Sequence, residues 1–147
     1  MFQHLLVPID GTELSEHAQQ ASLALAARLG ARITAFVAEP LAPLPHMGTH
    51  PSNYLRDTER HLQRTEAHAH EVLARFRCLA EEQGVPFIGR FERTDGVDEA
   101  IVKLATEAGC DLIVMATHGR GVFGELLFGS HTKNVISRSK LPLLVLH

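Results

Sequence analysis

The sequence predicts an α/β fold: a single doubly wound, five-stranded parallel sheet with helices on both faces. Three observations predict it. Short apolar, β-branched runs alternate with longer amphipathic segments along all 147 residues. The connections between them are short, and glycines close the helical segments. A chain of this length is most simply one domain. Its hydrophobic content of 45% suffices for a real core.

Residues 2–9 read as a buried strand. Asp10-Gly11-Thr12 turns the chain, and Thr12 is placed to cap a helix. Leu14, Ala18, Ala21, Leu25, Ala26 and Leu29 then fall at helical spacing until Gly30 stops the helix. Residues 31–38 form a second strand. Pro40, Pro43, Pro45 and Pro51 mark a Pro/His-rich insertion loop over about 40–52, inside the domain rather than between two. A long helix follows over about 53–83, with Leu55, Leu62, Ala69, Val72, Leu73, Phe76, Leu79 and Ala80 as its apolar stripe and Gly84 as its stop. Residues 85–92 form the third strand. Residues 95–108 form a helix with Val97, Ala100, Ile101, Leu104, Ala105 and Ala108 inward, and 111–116 form the fourth strand. A glycine-rich stretch, a helix from 130 to about 137 and a last strand over 141–146 complete the alternation.

Composition excludes several classes. A net charge of −3 gives no generic attraction to nucleic acid or anionic membrane. The apolar runs are far shorter than a membrane span, and no basic and apolar leader precedes the first strand, so no signal peptide is expected. Cys78 and Cys110 are few and far apart, which suits small buried apolar residues in a reducing compartment; the expected location is cytoplasmic. The ten histidines carry the net charge through zero as pH falls past about 6.5. Among them His46, His50, His61, His68 and His70 invite a metal reading. His61 and His68 share a helix face but lie about 10 Å apart along the axis, so solvated histidines are expected.

The chemistry concentrates between Met115 and Thr132. Four glycines lie between 119 and 129, and Ser130 and Thr132 follow. Glycines let backbone N–H groups approach an anion, and a helix N-terminus adds unpaired donors and a positive dipole end. Two familiar motifs fail here. Gly119-Arg-Gly121-Val-Phe-Gly124 matches the dinucleotide pattern, but Gly129 interrupts any helix begun at 121 and the last strand carries no acid. Gly124 to Gly129-Ser130 has P-loop spacing but lacks the lysine.

A longer pattern fits better. Leu5-Leu-Val-Pro-Ile-Asp-Gly-Thr-Glu-Leu-Ser15, Asp111-Leu-Ile-Val-Met-Ala-Thr-His-Gly-Arg120, and Gly129-Ser-His-Thr followed by Val135-Ile and Pro142-Leu-Leu-Val145 resemble the universal stress protein family from end to end. The nucleotide-binding branch of that family carries G-x2-G-x9-G-[S/T]. Here it reads Ala116-x2-Gly119-x9-Gly129-Ser130, with alanine at the first glycine. Binding tolerates this methyl group if position 116 has negative φ; a positive φ would strain it by about 1–2 kcal/mol.

The resemblance implies an adenine nucleotide alpha hydrolase-like fold. It implies an ATP-like ligand (ATP, ADP or AMP) across the carboxyl ends of strands one and four, with Mg²⁺ or Mn²⁺ held by its phosphates. Asp10 would accept from ribose hydroxyls, or else merely form an Asx-turn. Pro8 would shape the turn, and Val37 would meet adenine through its backbone, although its side chain is equally a core residue. The implied site continues through Met115, Ala116, His118, Gly119, Arg120, Gly129, Ser130, His131 and Thr132. Ser130 is alternatively an ordinary helix cap. Phe123, Leu126, Leu127 and Phe128 are expected to pack on the sheet or a partner. The resemblance also implies a homodimer through the last strand, Leu141 to Leu146.

No nucleophile, base and orienting acid stand together, which argues against catalysis; the resemblance, with Gly119-x9-Gly129-Ser130 and Asp10, implies a dimeric ATP-binding regulatory protein of the stress response with an unknown protein partner. The alternatives are a nucleotide-free dimeric interaction protein of the same fold, or a slow ATPase or nucleotidyl transferase using His118.

Overall fold

A computed structural model describes residues 1–117 and 130–147. The elements are β1 (His4–Pro8), α1 (Glu13–Leu29), β2 (Arg32–Glu39), α2 (Pro51–Glu82), β3 (Phe87–Arg93), α3 (Val97–Glu107), β4 (Leu112–Ala116), α4 (Ser130–Arg138) and β5 (Leu143–Leu146). The five strands form one sheet in the order β3-β2-β1-β4-β5. Every pairing is parallel.

Strand alternation sorts the core into two layers. Leu5 and Val7 of β1, Ile33, Ala35 and Val37 of β2, and Leu112 and Val114 of β4 pack with Leu23 and Ala26 of α1 and with Val72, Leu73 and Phe76 of α2. Leu6, Phe36, Ile113 and Met115 point the other way, against Ala100, Ile101 and Ala105 of α3 and Val135 of α4. Phe76 and Phe87 meet edge to face, with ring centroids 5.1 Å apart, where α2 covers the β3 edge.

Two helix faces differ from the sequence expectation. On α1 the buried set is Ser15, Ala18, Gln19, Ser22, Leu23 and Ala26, while Leu29 is exposed. Small polar residues are tolerated there because they find local acceptors: the Ser22 hydroxyl donates to the Gln19 carbonyl at 2.9 Å. On α2 the stripe holds from Ala69 onward, but Leu55 and Leu62 are exposed and His61 and Thr65 take the inward places. The reason is loop 40–50, which lies beside this half of the helix. Its start is tied there by His61 Nε2, bonded to the Pro40 carbonyl at 2.9 Å. His61 is therefore buried rather than solvated. Nor is His68 simply solvated, because its Nδ1 pairs with Glu39. Cys110 is buried as expected, and burial pushes its thiol up to about 11. Cys78 is exposed, contrary to expectation, because it falls on the outer face of α2.

At the amino ends of the strands, His4 is 4% exposed and its Nε2 lies 2.7 Å from Thr34 Oγ1. Burial, and then the charge of Arg32, holds its pKa below the ordinary 6.5. The unfolded chain therefore binds this proton more readily than the folded one. The contribution to stability is intact above the ordinary value and is lost as pH falls below it. Urea titrations of wild type and His4→Gln should show wild type losing more stability between about pH 7 and pH 5. Parallel losses in the two proteins would exclude His4 as a source of acid sensitivity.

Candidate functional site

The strand order reverses at β1. The chain moves outward through β2 to β3, then returns to the other edge of β1 as β4. Helices consequently leave β1 and β4 on opposite faces and open a crevice at the carboxyl ends of these strands. A cleft of about 310 Å³ lies there. Ile9, Phe36, Ala38, Val97, Ile101 and Met115 give it an apolar lining, and Asp10, Thr12, Ser15, Thr117, His131 and Thr132 give it polar groups. An apolar floor beside hydroxyls, a carboxylate and a helix N-terminus is the usual composition of a small-molecule site.

The β1–α1 turn is locked by its own side chains. Thr12 caps α1, its hydroxyl oxygen accepting from Ser15 N at 3.2 Å. The same hydroxyl donates to Asp10 Oδ1 at 2.7 Å, and Thr12 N donates to that oxygen at 3.0 Å. Asp10 N donates to Ser15 Oγ at 3.1 Å. Asp10 thus forms the Asx-turn weighed from sequence, with one oxygen. Among the described residues Oδ2 has no hydrogen-bond partner, so the exposed carboxylate keeps an acceptor for a ligand hydroxyl. Gly11 makes the turn possible: its φ is +83°, and a Cβ there would lie 3.0 Å from Val72 Cγ2 and 3.3 Å from His68 Nε2.

The remaining sequence-derived residues fall in three groups. Pro8, Asp10, Met115, Ala116, His131 and Thr132 line the cleft together. Ala116 ends β4, and no non-glycine residue among those described has positive φ, so its methyl group meets no backbone strain. Ser130 is the first residue of α4, adjoining the cleft residues His131 and Thr132. Val37 has its side chain fully buried in the opposite core layer, and the cleft-facing residues of β2 are its neighbours Phe36 and Ala38. His118, Gly119, Arg120 and Gly129, with Phe123, Leu126, Leu127 and Phe128, lie outside the described residues. Thr117, just before that segment, and His131, two residues beyond its end, line the cleft.

Sequence reasoning missed Thr12 and Ser15 as cleft residues and Val97 and Ile101 as its floor. The signal for the last two was the α3 apolar stripe, which was read only as core. At the α4 end, His131 Nδ1 lies 2.5 Å from Asp98 Oδ1, and Asn134 Nδ2 donates to Asp98 Oδ2 at 2.7 Å. Arg138 pairs with Glu99 farther along the same seam. Among the described residues no three His, Cys, Asp or Glu side chains converge as a metal site. No described helix is long and apolar enough to cross a membrane.

Comparison with known proteins agrees with this architecture. The model of the universal stress protein family matches residues 1–147. A universal stress protein of Thermus aquaticus is 31% identical over 147 residues, covering 99% of this chain and 98% of the relative. A stretch of 47 residues, 32% of this chain and 29% of the relative, is 49% identical to a universal stress protein of Methanocaldococcus jannaschii. Among solved structures, UspA of Lactobacillus plantarum superposes with a TM-score of 0.80 at 18% identity, over 99% of this chain and 98% of that one. A universal stress protein solved in complex with cAMP superposes with a TM-score of 0.69 at 26% identity, over 99% and 97%.

Replacing Gly11 tests the turn directly. Gly11→Ala should destabilise the protein by about 1–2 kcal/mol from its positive φ alone, with the Val72 contact adding to this. The unfolding midpoint in urea checks it, and an unchanged midpoint would mean that the turn relaxes without strain.

Proposed function

The chain belongs to the universal stress protein family, and we propose that it is an adenine-nucleotide-binding regulatory member, holding the nucleotide in the cleft between β1 and β4. The observation that carries this reading is the convergence of Asp10, the end of β4 and the first turn of α4 on one cleft. The segment joining the last two carries Gly119-x9-Gly129-Ser130. The cAMP complex of a relative 26% identical supports it.

In this reading the apolar floor takes the base, with Val37 offering its backbone and Pro8 holding the turn. Asp10 accepts from the ribose hydroxyls. Met115 and Ala116 lie under the ligand. His118, Gly119, Arg120, Gly129, Ser130, His131 and Thr132 surround the phosphates, where backbone N–H groups and the α4 dipole favour negative charge. Mg²⁺ or Mn²⁺ is bound through the phosphates, the usual mode for Mg²⁺. The negative φ of Ala116 favours this reading over a nucleotide-free one. The protein acts in the cytoplasm through a protein partner, with slow hydrolysis at most.

We read the protein as a homodimer through residues 141–146. β5 is an edge strand of the sheet, short and apolar, and its Leu144 is exposed. A bare edge of this kind invites pairing with a second copy.

Calorimetric titration of nucleotide-stripped protein with ATP, ADP, AMP and cAMP, with and without Mg²⁺, tests the nucleotide reading. Wild type should bind, and Gly129→Val should bind at least about tenfold more weakly, the loss of one or two phosphate hydrogen bonds. The absence of binding by folded wild type would refute the reading. Sedimentation velocity should show a dimer for wild type and a monomer for Leu144→Glu; a monomeric wild type would refute the dimer.

A further inference from the structure

Resting on the nucleotide reading, we propose that Asp98 and His131 form a proton-operated phosphate contact, so that nucleotide affinity rises as pH falls through the imidazole range. Asp98 is the positioning residue of this pair.

His131 lines the cleft from the first turn of α4. Its Nδ1 is taken by Asp98 Oδ1 at 2.5 Å, and Asp98 is itself held, its Oδ2 accepting from Asn134 at 2.7 Å. The Asp98 side chain is 17% exposed and that of His131 61%, so the carboxylate is anchored in the α3–α4 seam and the ring stands out from it. Among the described residues Nε2 has no hydrogen-bond partner.

The ring therefore has two states with opposite chemistry. A neutral imidazole with its hydrogen on Nδ1 presents a lone pair at Nε2, which repels a phosphate oxygen. An imidazolium presents an N–H there, which donates a charge-assisted hydrogen bond to the same oxygen. A cation at a helix N-terminus opposes the dipole, and the Asp98 carboxylate offsets this. Among the described residues, other charged groups stand about the ring; His118 and Arg120, which the nucleotide reading also puts near the phosphates, lie outside them. Asp10 lies on the β1 rim of the same cleft, Lys133 follows on α4, and Glu99 and Arg138 neutralise each other along the seam. A bound phosphate favours the charged ring. By linkage, a ligand that prefers the protonated ring binds more tightly where that proton is present.

The test is calorimetry of ADP and of adenosine between pH 6 and pH 8, on wild type, His131→Gln and Asp98→Asn. Because the terminal phosphate of ADP titrates in this range, the informative quantity is the difference between wild type and His131→Gln. Wild type should gain about tenfold more affinity for ADP on acidification than His131→Gln, the value of one charge-assisted hydrogen bond. Adenosine should show no such difference. Asp98→Asn keeps an acceptor for Nδ1 but removes the charge, so its affinity profile should keep its amplitude and move to lower pH. A merely structural Asp98 would weaken binding equally at every pH. Matching profiles in wild type and His131→Gln, or an unmoved midpoint in Asp98→Asn, would overturn the proposal and leave the nucleotide reading intact. No binding of ADP by folded wild type at either pH would overturn both.

Discussion

Among the described strands, β1 is the one paired on both of its edges by strands that follow it in the chain, β2 and β4. Its hydrogen bonds to β2 and to β4 force the sheet to grow outward on each side of it. Parallel crossovers have one hand, so growth in opposite directions puts α1 and α2 on one face and α3 and α4 on the other. The crevice at the carboxyl ends follows from that divergence and needs no residue of its own to open it. The fully buried side chains at the centre pack against both helical layers, Leu5 and Val7 against one and Leu6 against the other.

The two walls of the cleft are held by different kinds of contact. The β1–α1 wall is local: Asp10, Gly11, Thr12 and Ser15 lock one another within six residues. The α3–α4 wall is tied over long sequence separation, through Asp98 to His131 and Asn134 and through Glu99 to Arg138. A local lock forms with the helix it caps. A long-range seam forms only when two helices dock, and it keeps titratable groups at the site.

Legibility varied with the source of each signal. The β1–α1 turn was readable because Asp10-Gly11-Thr12 carries its turn and cap chemistry in adjacent residues, and the structure forms both. The ends of α1, marked by Thr12 and Gly30, were readable for the same reason. The amino-terminal half of α2 was not. Leu55 and Leu62 look inward by period, yet a loop of this chain seats His61 there, and no periodicity describes a loop. Likewise β3, at the sheet edge, presents one half-buried face and one exposed face, and α2 packs against it.

The sequence by itself determined the order and kind of the elements, the turn after β1, and the candidate residues at the ends of β1 and β4. All of these rest on interactions between near neighbours or on periods of hydrophobicity. Only the tertiary structure decided the strand order, the division of the helices between faces, and the turning of Val37 into the core while Phe36 and Ala38 face the cleft. It alone also brought Asp98 to His131, 33 residues away. Those outcomes depend on which surfaces meet when distant segments pack, and a one-dimensional pattern records the surfaces without recording their partners.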